Sequence, residues 1–434
     1  MASVFGFVHR AWQIIRPPLQ PAKAPDALKF GILGAANVAP YALFLQAKQH
    51  PDVVIHAVAA RDKNKADAYA KKHGIPVVFG SYQELLDDPS IDAVYIPLPN
   101  GLHFEWALKA LAGGKHVLLE KPSVSNATEA EALFRSPLLL QGDAPPVILE
   151  AFHYKFHPAW LLFMSLLDQP NVARAEAHLA IGGFSDTKDI RFNYELAGGA
   201  LMDLTYTPSV VRAIFGAEPT QCTRCDVQTL VNVGGSEEID AKFDAEYTFP
   251  NGGTGVARGN LRAPMREMLR PLPFATAVHK PEVISNHPPS GGGVSLPDGQ
   301  EELRTRTVTL HNFIASSLWH RIDIIDEHVI RKTDGTNEPL KKWTVRESKK
   351  AYTLRDAGNN IVDSERWESK EYWLSYKYQL DAFVDRVRGR VPVAWVDGED
   401  SIAQMRAVDM AYLKAGLKVR PTSRYYSPPV AALP

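Results

Sequence analysis

Between residues 28 and 150 short apolar runs alternate with helix-forming segments, and this alternation excludes most architectures. Lys29–Leu33 is apolar and is followed by Gly34 and a helical stretch to Gln49. Val53–Ala59 is a second run, broken only by His56. Asn64–His73 reads as a helix stopped by Gly74, a residue suited to the left-handed end position. Ser81 and Glu84 have the spacing of a capping box. Ile91–Ile96, Val117–Leu119 and Val147–Leu149 read as further strands, with helices at His103–Ala112 and Thr128–Phe134. Strands this uniformly apolar are buried on both faces, which requires a parallel sheet covered by helices on both sides. The expectation is a doubly wound α/β (Rossmann) domain over 28–150.

Past Ala151 the period changes. Asp240–Phe249 alternates strictly, with Ala241, Phe243, Ala245, Tyr247 and Phe249 on one face and Asp240, Lys242, Asp244, Glu246 and Thr248 on the other. Period two implies a sheet with one buried face. Pro250-Asn251-Gly252-Gly253 signals a turn, after which Gly255–Arg262 returns as the paired strand. Arg174–Ile181 and Thr305–Phe313 read as more strands of an antiparallel sheet, and residues 264–300, rich in Pro and Gly, as a long loop. Tyr376, Leu380, Phe383, Val384 and Val387 share one helical face, and Asp400–Ala415 reads as a last helix ended by Gly416. The expected organisation is an N-terminal extension with a proline-rich linker (1–27), the Rossmann domain (28–150), an α/β domain with a mostly antiparallel sheet (151–417) and a tail (418–434).

Composition removes several classes of function. A formal net charge of -1 gives no field for nucleic acid. No run reaches the roughly 18 apolar residues that would cross a bilayer. The two cysteines, Cys222 and Cys225, form one lone C-x-x-C, too few ligands for zinc, so no metal is expected. Such sparse cysteine suits a reducing compartment, hence a cytoplasmic protein. The first 25 residues carry Arg10, Arg16 and Lys23 and no acid, with apolar residues from Val4 to Ile15. They read in three ways: a mitochondrial targeting segment, a membrane-surface helix, or a helix packed on the body.

The turn after the first strand approximates G-x-G-x-x-G/A, read as Gly34, Ala36 and Ala39, with Asn37 and Val38 between. Gly34 permits the tight turn, and backbone N–H groups at the helix start can hold a pyrophosphate. The second strand ends in Val58-Ala59-Ala60-Arg61-Asp62, where an NAD enzyme usually carries an acid for the ribose hydroxyl. Arg61 instead suits the 2′-phosphate of NADP, unless it is simply a solvated charge at a helix start. Asp62 can cap the following helix.

Three further stretches complete the pattern: Ile96-Pro97-Leu98-Pro99-Asn100-Gly101-Leu102-His103, Glu120-Lys121-Pro122, and Glu150-Ala151-Phe152-His153-Tyr154-Lys155-Phe156-His157-Pro158. With the glycine turn they resemble the glucose-fructose oxidoreductase, inositol dehydrogenase and rhizopine-catabolism family, and its NADP-dependent D-xylose dehydrogenase and dihydrodiol dehydrogenase branch in particular. The resemblance runs from about Leu28 to Leu417. It implies a large sheet in the second domain that often forms a homodimer face. It also places Lys121 beside nicotinamide and substrate, Glu120 in the turn presenting it, and Asn100 and His103 in the cofactor cleft. His153, Tyr154, His157 and Arg191 are candidate substrate contacts, with purely structural roles open to the two histidines.

Gly198-Gly199-Ala200-Leu201-Met202-Asp203-Leu204-Thr205-Tyr206 approaches a second family motif, but Tyr206 follows Asp203 by three residues where the motif has four. Either a local irregularity returns Tyr206 to the cleft, or Thr207 occupies its place. Oxidising a hydroxyl needs a hydride acceptor and a group that takes the proton. Lys121 can ease alkoxide formation, Tyr206 can pass the proton and Asp203 can hold the lysine. Structural alternatives stay open: a surface lysine, a helix charge and a packed aromatic. The expected function is an NADP-dependent dehydrogenase of a sugar, at C1 of an aldose, or of a cyclic vicinal diol. The alternatives are an inactive NADP(H) sensor and a cofactor-recycling, glycosidase-like enzyme.

Overall fold

The computed structural model describes residues 2–18, 20–142, 144–184, 189–231, 238–269, 271–284, 296–333, 338–358 and 369–427. Helix α1 (Ala2–Ile15) precedes a sheet of six parallel strands: β1 (Leu28–Leu33), β2 (Val53–Ala59), β3 (Val77–Phe79), β4 (Ala93–Ile96), β5 (His116–Leu119) and β6 (Ile148–Glu150). Their order is β3-β2-β1-β4-β5-β6, so the winding reverses between β1 and β4 and opens a crevice at their C-terminal ends. Between the strands lie α2 (Leu45–Lys48), α3 (Lys63–His73), α4 (Tyr82–Asp87), α5 (His103–Ala112) and α6 (Ala127–Phe134).

Local chemistry sets these boundaries. The Asp62 carboxylate accepts the N–H groups of Asn64 and Lys65 and caps α3, and Gly74 ends that helix at φ +70°. Ser81 accepts the N–H of Glu84, while the Glu84 carboxylate reaches the N–H of Gly80, one residue earlier than a full capping box requires. The helix after the glycine turn is not uniform: Pro40–Phe44 winds as a π-helix before α2 continues it.

The rest of the chain builds α7 (Pro158–Ser165), β7 (Val172–Ala180), α8 (Ala200–Asp203), α9 (Tyr206–Phe215), β8 (Gln221–Val231), β9 (Glu238–Thr248), β10 (Thr254–Asn260), α10 (Met265–Leu269), β11 (Phe274–His279), β12 (Glu282–Val283), β13 (Gln300–His311), β14 (Arg321–Lys332), β15 (Pro339–Lys349), α11 (Ser375–Val387) and α12 (Gly398–Lys414). The nine-stranded sheet runs β15-β14-β13-β11-β7-β10-β9-β8, with β12 beside β13. Among the described residues only β7 and β10 of this sheet pair in parallel. Helix α9 covers β7 and β10, while α12 packs between β8 and α6 of the first sheet. Cys222 and Cys225 are buried on β8.

Two expectations need correction. Residues 264–300 are not one long loop, because β11 lies there at the centre of the sheet, between β7 and β13. The flanking prolines obscure it, and its buried positions are Ala275, Ala277 and His279, whose weak hydrophobicity gives little period-two signal. Asp240 does not share the solvent face with Lys242 and Asp244; it is fully buried. The β8–β9 pairing slips at this point, with Gln228 opposite Lys242 and Thr229 opposite Asp240, so Ala241 is an extra residue that turns Asp240 inward.

Buried Asp240 is fully used. Its Oδ1 accepts Arg420 Nη2 at 2.5 Å and the Tyr412 hydroxyl at 3.1 Å, and its Oδ2 accepts the Leu201 N–H at 2.6 Å. Arg420 also donates to the carbonyl of Gly198 at 2.5 Å. Arg420 belongs to the segment after α12, which folds back onto the start of α6, where the Asn126 amide donates to the Arg420 carbonyl at 3.0 Å. Removing one partner of a buried ion pair strands the other charge. Arg420→Met is therefore expected to lower the unfolding free energy by about 3–5 kcal/mol in urea titrations, with Arg420→Met/Asp240→Asn recovering part of the loss.

Candidate functional site

A cavity of about 640 Å³ opens at the crevice between β1 and β4 and extends to the second sheet. Its size falls within the range of small-molecule sites. At one end lies the glycine turn. Gly34 has φ +105° and donates its N–H to the carbonyl of Ala59 at 2.7 Å, tying the turn to the end of β2. A side chain there would be strained and would meet Leu98 at 3.0 Å. Ala36, Asn37 and Val38 line the cavity just beyond, and the Ala36 carbonyl accepts the Tyr69 hydroxyl at 2.8 Å. Arg61 sits past the end of β2, exposed, and no ion pair holds its guanidinium among the described residues. A dinucleotide fits this end: the turn is tight, and the residues that follow it line the cavity.

The other end carries the charged groups. Lys121, at the end of β5, donates to the backbone carbonyl of Asp203 at 2.8 Å and to its Oδ1 at 3.4 Å. Arg191 Nε donates to Asp203 Oδ2 at 3.0 Å, and its Nη1 to Asp189 at 3.1 Å. Burial acts to raise the Asp203 carboxyl, but Lys121 and Arg191 outweigh it and hold the group below the ordinary carboxylate range. Glu120 is half-buried beside Lys121 and accepts the Tyr95 hydroxyl at 2.5 Å; desolvation raises its carboxyl against the pull of Tyr95 and Lys121.

The break between α8 and α9 places Tyr206. Helix α8 ends at Asp203, Leu204 and Thr205 form the junction, and α9 restarts at Tyr206. Gln404 of α12 fixes the junction, its amide donating to the Thr205 carbonyl at 3.0 Å and to Oγ1 at 2.7 Å. The Tyr206 ring then lies 5.0 Å from Lys121 Nζ and lines the cavity, whereas Thr207 is buried outside it and turns its hydroxyl to the Leu204 carbonyl. Of the two arrangements that the short spacing allows, this is the one that returns the tyrosine. Burial, then Tyr376 and Glu120, push the Tyr206 phenol well above its usual pKa, so it is protonated at neutral pH.

Asn100, Glu120, His153 and Arg191 also line the cavity. Asn100 donates to the carbonyl of Ala197 at 3.0 Å, joining the β4 loop to the segment before α8. The His153 ring stacks on Tyr376 at 4.0 Å and shares a 2.7 Å hydrogen bond with the Ser375 hydroxyl. Burial and Lys121 lower its pKa to about 3, which keeps it neutral.

Three expected contacts are elsewhere. His103 is fully buried between the carbonyls of Pro122 and Leu98, each 2.8 Å from a ring nitrogen, and braces the turn after Lys121 instead of lining the cleft. Burial brings its pKa to about 4, so the neutral ring donates to one carbonyl at a time. Tyr154 is buried with its hydroxyl 2.9 Å from that of Ser209. His157 is buried and caps α7, accepting the Ala159 N–H at 3.1 Å. Conversely, Tyr41 and Tyr376 line the cavity and meet edge to face at 5.4 Å, one beyond the glycine turn and one on α11. Their only sequence signal was a tyrosine on an otherwise apolar helix face.

Residues 28–136 match the model of an oxidoreductase family with an NAD-binding Rossmann fold. The chain is 35% identical to D-xylose 1-dehydrogenase (NADP(+)) 2 of Haloferax volcanii, over 51% of this chain and 71% of that protein. It is 32% identical to trans-1,2-dihydrobenzene-1,2-diol dehydrogenase of Xenopus tropicalis, over 44% of this chain and 58% of that one. The fold is similar to a 3-ketoreductase from Actinomadura kijaniata solved with NADP and TDP-benzene (TM-score 0.60, 19% identity, 89% of this chain and 98% of that one).

The burial of Tyr154 yields a direct check. Tyr154→Phe removes one buried hydroxyl contact and is expected to cost about 0.5–1.5 kcal/mol of stability in urea unfolding, with KM for substrate unchanged. A raised KM would return Tyr154 to the substrate contacts.

Proposed function

The chain belongs to the glucose-fructose oxidoreductase, inositol dehydrogenase and rhizopine-catabolism family of nicotinamide-dependent dehydrogenases and reductases, and from that premise we propose that it is an NADP-dependent dehydrogenase of a sugar or a cyclic vicinal diol. In a pyranose the carbon oxidised is C1 and the product a lactone. The observation that carries the reading is the cluster of Lys121, Asp203, Arg191 and Tyr206 at one end of a cavity whose other end is the glycine turn. Arg61 supports NADP over NAD, since its exposed guanidinium suits a 2′-phosphate beside that turn.

The bound nicotinamide supplies or accepts the hydride. The protein's part is the proton and the developing charge. The Lys121 ammonium, oriented by Asp203, stabilises negative charge on the substrate oxygen. Tyr206 gives that oxygen a proton when a carbonyl is reduced and takes it back when the alcohol is oxidised. Neutral His153, Asn100 and the Arg191 fork offer hydrogen bonds to the remaining hydroxyls. Tyr41 and Tyr376 give an apolar wall of the kind that ring C–H groups pack on.

The raised phenol fixes the direction of the pH response. Reduction uses the protonated form and is expected to hold across neutral pH. Oxidation discharges a proton into the same group and is expected to speed up as pH rises, a dependence that Tyr206→Phe removes. Because Lys121 and Arg191 hold the Asp203 carboxyl below the ordinary carboxylate range, its pairing with the lysine persists through neutral and mildly acidic pH.

The experiment is turnover of purified protein with NADP and a panel of aldoses and vicinal diols, followed by absorbance of the reduced cofactor. Binding of NADP with no turnover in either direction would refute the reading. Lys121→Met is expected to lower kcat by about 10²–10⁴ with cofactor affinity kept. Arg61→Ala is expected to weaken NADP binding by about 10- to 150-fold and leave NAD binding unchanged. Equal affinity of the unaltered protein for the two cofactors would overturn the NADP assignment.

A further inference from the structure

Helix α1 is docked the wrong way round for a helix of a water-soluble body. Its inward side is Arg10 and Ile14, only 6% and 8% exposed. Arg10 is the clamp: Nη2 donates to the Leu318 carbonyl at 3.3 Å and to the Tyr352 hydroxyl at 3.0 Å, and the guanidinium lies 3.8 Å over the Tyr352 ring. Its outward side is apolar. Phe5, Val8, Trp12 and Ile15 are 71%, 57%, 56% and 75% exposed. At about 100° per residue these four fall within an arc of roughly 80°. They make one stripe, which the buried arginine turns toward solvent.

What borders the stripe indicates what covers it. His9 and Arg16 are exposed along its edge, and the Arg16 guanidinium sits 4.6 Å over the Trp12 ring. The sequence holds no acid before Asp26. Large apolar side chains including Trp, edged by cations, match the boundary between acyl chains and anionic headgroups. The stripe is also too small for a stable protein interface, which takes roughly 20–30 residues a side. A bilayer needs no shape complementarity and accepts one helix laid flat. We propose that α1 is a membrane-surface anchor that seats this protein on an anionic bilayer, with Phe5, Val8, Trp12 and Ile15 inserted and His9 and Arg16 at the phosphates. No helix among the described residues is long and apolar enough to cross a membrane, so the attachment is peripheral.

The anchor is tested by floating the full-length protein with vesicles of phosphatidylcholine, alone or mixed with phosphatidylserine, at low and high salt. Flotation is expected with the anionic vesicles and is expected to weaken with salt. The stripe variant Phe5→Ser/Trp12→Ser/Ile15→Ser is expected to bind lipid on the order of 100-fold more weakly, and its unfolding curve should match the parent, because the substituted side chains face solvent. Arg16→Gln is expected to lose roughly 5-fold, on anionic vesicles only. Protein that stays with the soluble fraction, or a stripe variant that floats as well as the parent, overturns the proposal. So does stripe-dependent self-association without vesicles, which would assign the face to a second copy of the chain.

Discussion

The buried pair of Arg420 and Asp240 is the interaction on which the site depends. A bulge in β9 turns one carboxylate into the core, where a lone charge would be untenable. The arginine that neutralises it comes from the far end of the chain and is itself 1% exposed. The same carboxylate holds the first turn of α8 through the Leu201 N–H, and the same guanidinium holds the Gly198 carbonyl just upstream. Asp203 ends that helix, and Lys121 reaches Asp203. The charged end of the cavity therefore rests on two groups that never touch it.

A second layer of support comes from α12. It packs between the two sheets, and its Gln404 fixes Thr205, the residue on which the chain pivots between α8 and α9. Asp400 on the same helix accepts Arg212 of α9 at 3.0 Å and also pairs with Lys155. Burial opposes the ionised Asp400, and the two cations overcome it and hold it below the usual range. Polar groups inside the protein thus work as positioning elements for both helices that carry site residues. The arrangement is rigid because each of these side chains is shared between partners.

Much of this was legible in the sequence. The six-stranded sheet follows from apolar runs and capping residues, although β3, of three half-buried residues, was too short to locate. Strand β11 escaped because alanine carries little of the periodic signal. Lys121 and Asp203 could be named because each lies in a stretch that resembles a family motif, Glu120-Lys121-Pro122 and Gly198–Tyr206. The aromatic and histidine candidates divided differently. His153 reaches the cavity, while Tyr154 and His157, one and four positions later, turn into the core. A 3-10 turn over His153–Phe156 aims successive side chains in different directions, and no property of the residues themselves reveals which one faces the cavity. Tyr41 and Tyr376 were invisible for the complementary reason, since a tyrosine on an apolar helix face looks like packing.

The interruption between α8 and α9 separates distance along the chain from distance in space. In a continuous helix, losing one residue between Asp203 and the tyrosine would swing the ring by about 100°. Here Leu204 and Thr205 absorb that change as a joint, anchored from outside by Gln404. Such a joint tolerates a change in the number of residues passing through it while the side chains on either side keep their posts. The chain can drift in length at this point without moving Tyr206 from the cavity, and a motif defined by fixed spacing would pass over a placement that is kept.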